Sequence, residues 1–153
     1  MIPMIFLSHS KEETKALGRK LATLLQAGDV VLLTGDLGAG KTTFVSGVAE
    51  ELNCQEDVIS PTFNILKCYF KGKLPMYHID AYRLEGQNLE LGLEEFIEGD
   101  GACFIEWPAY IEALIPDERL ELTLTHDGPN RQIEIQGVGA RGQTLCQNLE
   151  ALL

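Results

Sequence analysis

The chain has 153 residues, 45% of them hydrophobic and 23% charged, which fits one globular domain over 1–153 with a core that needs no cross-links. Twelve Lys and Arg stand against 23 Asp and Glu, a formal net charge of −11; so few cations argue against direct, tight binding of DNA or RNA, which depends on displacing phosphate counterions, unless a partner supplies the basic surface. No apolar run approaches the roughly 20 residues that cross a bilayer, and the first ten residues lack the basic region and cleavage site of a secretory signal.

In chain order, Met4–Leu7 reads as a short strand. Ser10 then caps a helix with Glu12 and Glu13 in its first turn, Ala16, Leu17, Leu21, Leu24 and Leu25 at helical spacing, and Gly28 past its end. Residues 29–34 form a β-branched, apolar run, hence a buried strand, followed by the glycine-rich turn 35–40. A helix is predicted from Lys41 to about Leu52, with Phe44, Val45, Val48, Ala49 and Leu52 on its apolar face. Residues 62–70 and 74–82, around Lys71-Gly72-Lys73, read as a hairpin. Leu89–Ile97 has a helical pattern interrupted by Gly92. Ala102–Ile105 is a buried strand, with Pro108 marking the exit. Residues 120–125 and 132–136 alternate and flank a turn containing Gly128-Pro129, a second hairpin; Gln143–Leu153 closes the chain as a helix. The four cysteines (Cys54, Cys68, Cys103, Cys146) show no CxxC pair, so isolated core thiols in a reducing cytoplasm are expected, without zinc or a redox motif.

Gly35-Asp36-Leu37-Gly38-Ala39-Gly40-Lys41-Thr42 matches G-x-x-x-x-G-K-[ST], and a predicted strand and helix flank it as that motif requires. Glycines let backbone N–H groups converge on phosphate oxygens, and the helix beginning at Lys41 adds its N-terminal partial charge. In this chemistry Lys41 reaches the β- and γ-phosphates and the Thr42 hydroxyl ligates Mg²⁺. The fold class expected is α/β: a three-layer P-loop NTPase-like domain, with a mixed sheet, helices on both faces and β-hairpins.

A second metal partner is needed, and two acids end predicted strands. Glu106 follows Cys103-Phe104-Ile105 at the usual Walker-B position; the alternative is a strand-end carboxylate facing water. Asp80 ends Tyr77-His78-Ile79-Asp80; the alternative is a strand-end cap or a partner of Arg83. In Ser60-Pro61-Thr62-Phe63 the proline forces Ser60 extended, which would present the Thr62 hydroxyl as a γ-phosphate sensor; an ordinary turn is the alternative. His78 shares a strand face with Asp80 and is either a support for the metal site or a satisfied structural histidine. Trp107 reads first as a core or surface packing residue; the alternative is packing near the site. Residues 84–118 hold ten acids and no Lys or Arg, either a solvated face or a surface that repels nucleic acid or docks a basic partner.

Together these segments, with His78-Ile79-Asp80-Ala81-Tyr82-Arg83 and Glu106-Trp107-Pro108, resemble the TsaE (YjeE) family of bacterial P-loop ATPases over nearly the whole chain. The resemblance implies ATP and Mg²⁺ as cofactors. It implies a slow, partner-dependent ATPase that works with TsaB and TsaD in making threonylcarbamoyladenosine at position 37 of tRNA, TsaC supplying the threonylcarbamoyl-adenylate. It implies Thr42, Asp80 and Glu106 around the metal, Thr62 near the terminal phosphate, and Asp36, Leu37, Gly38, Ala39, Gly40 and Lys41 around the phosphates, with Thr43 in the same motif. It implies Ser10 to Thr14 and Arg131 on the base side. Contact with tRNA would be indirect, and no DNA or membrane partner is expected.

Three other functions use the same loop. A small-molecule kinase of this fold closes an Arg-bearing lid over the phosphates, whereas the five arginines here are scattered. A GTPase switch lacks its N-K-x-D segment. A passive nucleotide-binding module is compatible with the residues.

Overall fold

The structure is a computed structural model and describes residues 3–36, 38–54, 65–84 and 92–153. The strands among them are β1 (Met4–Ser8), β2 (Val30–Gly35), β3 (Leu66–Tyr69), β4 (Met76–Asp80), β5 (Ala102–Glu106), β6 (Arg119–Asp127) and β7 (Asn130–Val138). The helices are α1 (Lys11–Ala22), α2 (Lys41–Glu51), the single turn α3 (Glu94–Ile97) and α4 (Gly139–Ala151), with 3₁₀ segments at Tyr82–Leu84 and Pro108–Leu114.

The strands form one mixed sheet in the order β1-β7-β6-β2-β5-β4-β3. Its centre is parallel: β2 pairs with both β5 and β6, and β4 pairs with β5. The flanks are antiparallel, made by the two hairpins β3–β4 and β6–β7 and by β1 on β7.

Side-chain alternation divides the core by face. Val31 and Leu33 of β2, with Ala102 and Phe104 of β5, face Leu17 and Leu21 of α1, Phe44, Val45 and Val48 of α2, and Leu145 and Leu149 of α4. Val30, Leu32, Cys103 and Ile105 point the other way, to Ile97 and Ile111. The fold is therefore α/β with helices on both faces, as expected, but among the described residues unequally: three full helices cover one side and short turns the other. Each fully buried Leu or Phe on the thick side contributes roughly 1.5–3 kcal/mol of transfer free energy.

Four elements differ from expectation. The first helix ends at Ala22, its last turn tightening as Leu24 N–H donates to Leu21 O at 2.9 Å; Leu24 and Leu25 still pack on the core. The strand of the first hairpin begins at Leu66, because Ile65 is left-handed (φ 62°). The expected helix over 89–97 is a single described turn after Gly92, whose φ of 73° breaks any helix entering from before; residues 89–91 lie outside the described part. The terminal helix starts four residues early, at Gly139. Gly142 belongs to it because a Cβ there would stand 2.1 Å from Arg119 O, so the glycine that weakens local helix preference lets α4 lie directly on β6.

Among the described residues no helix is long and apolar enough to cross a membrane. The four cysteines are free thiols, but only Cys103 and Cys146 are buried, while Cys54 and Cys68 are half-buried at the rim of the core. Burial pushes the Cys103 thiol well up, with the Cys68 thiol nearby adding to it.

Candidate functional site

Three parallel strands end at one edge, where α/β sheets place their ligands. In the register, Asp80 of β4 lies opposite Glu106 of β5, and Glu106 opposite Leu33 of β2. Alternation turns His78, Asp80 and Glu106 toward the α2 side of the sheet, the side of Met76, Phe104 and Leu33.

At this edge β2 runs into the glycine turn. A Cβ on Gly35 would meet Leu124 O at 1.9 Å, and its φ is 133°, so only glycine lets the turn leave β2 so close to β6. Asp36 fastens the turn: its N–H donates to Leu124 O at 3.1 Å, and its Oδ2 accepts from His126 N–H at 3.3 Å. Asp36 and the Ala39 N–H, which donates to Asp36 O, thus shape the loop rather than offer free donors.

The open donors begin further on. Gly40 is the N-cap of α2 in left-handed geometry (φ 107°), with no side-chain cap and no acid in the first turn. The first N–H groups of α2 have no acceptor within the helix, and Lys41 begins that turn.

Lys41 Nζ donates to Gly35 O at 3.2 Å and stands 3.9 Å from Glu106 Oε1. Glu106 is 5% exposed, which overturns a solvent-facing strand end. Its Oε2 lies 2.7 Å from Nε2 of the fully buried His78. Asp80, also 5% exposed, caps its own strand, Oδ1 accepting from Tyr82 N–H at 3.0 Å.

Trp107 takes a left-handed backbone (φ 57°) and lays its ring over Lys41 Nζ, 5.5 Å from the centroid. It stacks on Tyr110 and meets Tyr82. Core or surface packing was the expectation for it, and packing near the loop the alternative; the structure places it against the loop's Lys41. The contributions of Tyr82 and Tyr110 to this cluster were not anticipated, because they are brought together by two 3₁₀ turns with no periodic signature.

On the other side of the loop, a cleft of about 230 Å³ is lined by Ser8, Ser10, Lys11, Thr14, Gly38–Gly40, Thr43, Pro129 and Arg131. Thr14 and Arg131, expected on the base side, therefore do flank the loop. Thr14 is positioned by α1: Ser10 Oγ accepts from Glu13 N–H at 3.1 Å while Glu13 Oε2 accepts from His9 N–H at 2.8 Å, a reciprocal cap. Thr14 Oγ1 then lies 2.7 Å from Ser8 Oγ, both buried. Arg131 stands opposite Ser8 in the β1–β7 register, its Nη1 donating to Asn130 O at 2.9 Å. Ser8 went unnoticed in the sequence; a small polar residue ending an apolar strand was its only signal.

Thr42 follows Lys41 in the first turn of α2. Leu37 and Thr62, with the rest of Ser60-Pro61-Thr62-Phe63, lie outside the described residues. A second cleft, about 470 Å³, lies between the outer face of β2 and β6 and the segment 108–117; with Glu112, Asp117 and Glu121 against a single Arg119 in its lining it is ill suited to an anion.

A strand, a glycine turn clamped on its neighbour, and an uncapped helix headed by lysine, set in a mixed α/β sheet, define the P-loop class of protein. Residues 8–133 match the family model described as threonylcarbamoyl adenosine biosynthesis protein TsaE. Proteins called tRNA threonylcarbamoyladenosine biosynthesis protein TsaE are similar: that of Bacillus subtilis is 47% identical over 139 residues, 90% of this chain and 88% of that protein. That of Treponema pallidum is 39% identical over 132 residues, 84% and 96%. The crystal structure of Bacillus subtilis YdiB superposes with a TM-score of 0.84 at 40% identity, covering 98% of this chain and 95% of that one. The chain belongs to the TsaE family.

Proposed function

We propose that this protein is an ATP-binding, Mg²⁺-dependent ATPase that supports threonylcarbamoyladenosine formation at position 37 of tRNA, together with TsaB and TsaD in the cytoplasm. The observation that carries the reading is Lys41 held at the uncapped start of α2, 3.2 Å from Gly35 O and 3.9 Å from a buried Glu106. A buried carboxylate facing a lysine beside free helix N–H groups suits a phosphate and a polarised water.

The oxygen donors suit magnesium. Asp80 and Glu106 are neighbours across β4 and β5, with Thr42 on the facing helix. Among the described residues no three His, Cys, Asp or Glu side chains form a cage of their own, and magnesium ordinarily takes few protein ligands and keeps phosphate oxygens and waters. When bound, the ion would neutralise charge on the phosphate oxygens. The Gly38–Gly40 turn and the first N–H groups of α2 hold the phosphates, and Lys41 exchanges its Gly35 contact for the β- and γ-phosphates. Glu106 orients the water for in-line attack on the γ-phosphate, helped by Thr62, and Asp80 contributes to the metal. Thr14 and Arg131 line the base side.

The test is an ATPase assay with and without purified TsaB–TsaD, alongside nucleotide binding by calorimetry. The expected result is slow turnover alone and stimulation by the complex, with Lys41→Ala losing nucleotide binding and Glu106→Ala binding nucleotide but turning over at least tenfold more slowly. Binding without hydrolysis in either state would make the protein a passive nucleotide-binding module instead.

A further inference from the structure

His78 is fully buried on β4, and its only hydrogen bond among the described residues joins Nε2 to Glu106 Oε2 at 2.7 Å; Nδ1 has no partner there. A carboxylate offers only acceptors, so the proton in this contact belongs to the imidazole. In the neutral ring the remaining Nδ1 is then a bare lone pair. The opposite tautomer would set two acceptors 2.7 Å apart and bury an unsatisfied N–H, the worse arrangement on both counts.

Glu106 is thereby held from two sides. One oxygen is fixed by a short bond to the imidazole. The other faces Lys41 Nζ at 3.9 Å, too long for a tight ion pair. Both side chains are largely buried, with 10% and 7% of their surface exposed, so little water screens their attraction. Without a competing donor the carboxylate would close onto the ammonium, and the lysine would no longer be free for a phosphate.

Building on the proposed function above, we propose that His78 is a positioning residue that keeps Glu106 from pairing tightly with Lys41. It leaves one carboxylate oxygen for water or metal and the lysine for the nucleotide.

The test measures ADP and ATP affinity by calorimetry in the presence of EDTA, so that no metal enters the readout. His78→Phe should weaken affinity about tenfold, the factor that corresponds to about 1.4 kcal/mol of lost lysine–phosphate contact. His78→Gln, whose amide nitrogen reaches the place of Nε2, should restore most of it. Adding Glu106→Gln to His78→Phe should also restore it, since the neutral side chain has no reason to close on Lys41. A merely structural histidine predicts the reverse: a loss not rescued by Glu106→Gln. Unaltered affinity in His78→Phe, or failure of that rescue, overturns the proposal. ¹⁵N NMR of the imidazole in the parental chain gives an independent reading that needs no variant to fold: a proton on Nε2 is expected, and a bare Nε2 with the proton on Nδ1 alone overturns it. If the parental chain binds neither nucleotide, the proposed function falls first and this inference with it.

Discussion

Asp29 and Glu106 are both buried carboxylates, each 5% exposed, at opposite ends of the parallel strands. Asp29, just before β2, is saturated: Arg141 donates through Nε to Oδ1 at 2.9 Å and through Nη2 to Oδ2 at 2.8 Å, and Gln26 N–H donates to Oδ2 at 2.7 Å. Arg141 also donates to Leu24 O, and its guanidinium is held above its usual range by the bond to Asp29. Glu106, at the end of β5, has one short bond and a lysine kept at 3.9 Å. Equal burial thus accompanies unequal satisfaction. The saturated acid ties α4 to the β2 entrance; the under-satisfied one retains capacity for a ligand.

The largest effect should separate these two directly. Asp29→Ala leaves the Arg141 guanidinium without its partner and should cost about 3 kcal/mol in urea unfolding, the lower end for a broken buried pair because Arg141 is partly reached by water. Glu106→Gln should change stability by no more than about 1 kcal/mol. Equal losses would erase the distinction.

Asp100 and Tyr77 give an intermediate case. Asp100 is exposed and accepts the Tyr77 hydroxyl, and that bond, aided by burial, pushes the phenol up to about 12. The folded state holds this proton more tightly than the unfolded chain, which releases it near 10. The contribution is therefore complete below pH 10 and lost as pH rises toward 12. Tyr77→Phe should cost about 1 kcal/mol at neutral pH and flatten the alkaline decline in stability measured by urea titration.

Glu50 sets the lower limit. It is solvent-exposed, paired with Lys15 and Arg19 at 2.9 Å each, and those hydrogen bonds lower its pKa. Its contribution exists above the unfolded carboxyl's range and disappears as pH falls below it. Glu50→Gln should cost about 0.5 kcal/mol or less at pH 7, vanishing at high salt.

The contrast also marks what a sequence can reveal. The glycine loop was legible as a strand-to-helix turn because strand, glycines, lysine and helix are contiguous, and Ser10 because its cap acts within four residues. The site-end acids were legible as types at strand ends. Their environment was not: the bond from His78 to Glu106 spans 28 residues, and that from Arg141 to Asp29 spans 112. Both depend on which strands and helices become neighbours. The 3₁₀ segment Pro108–Leu114 carries no helical period, and α4 began early because Gly142 is chosen for its closeness to β6 rather than for helix propensity.

Gly35 and Asp36 take their shape from Leu124 and His126, nearly ninety residues downstream. During synthesis the ribosome delivers the glycine turn long before the strand it leans on. A nascent chain can finish this corner only once β6 has left the exit tunnel and docked, so shortened translation products ending before it would carry the loop's sequence without its supporting surface.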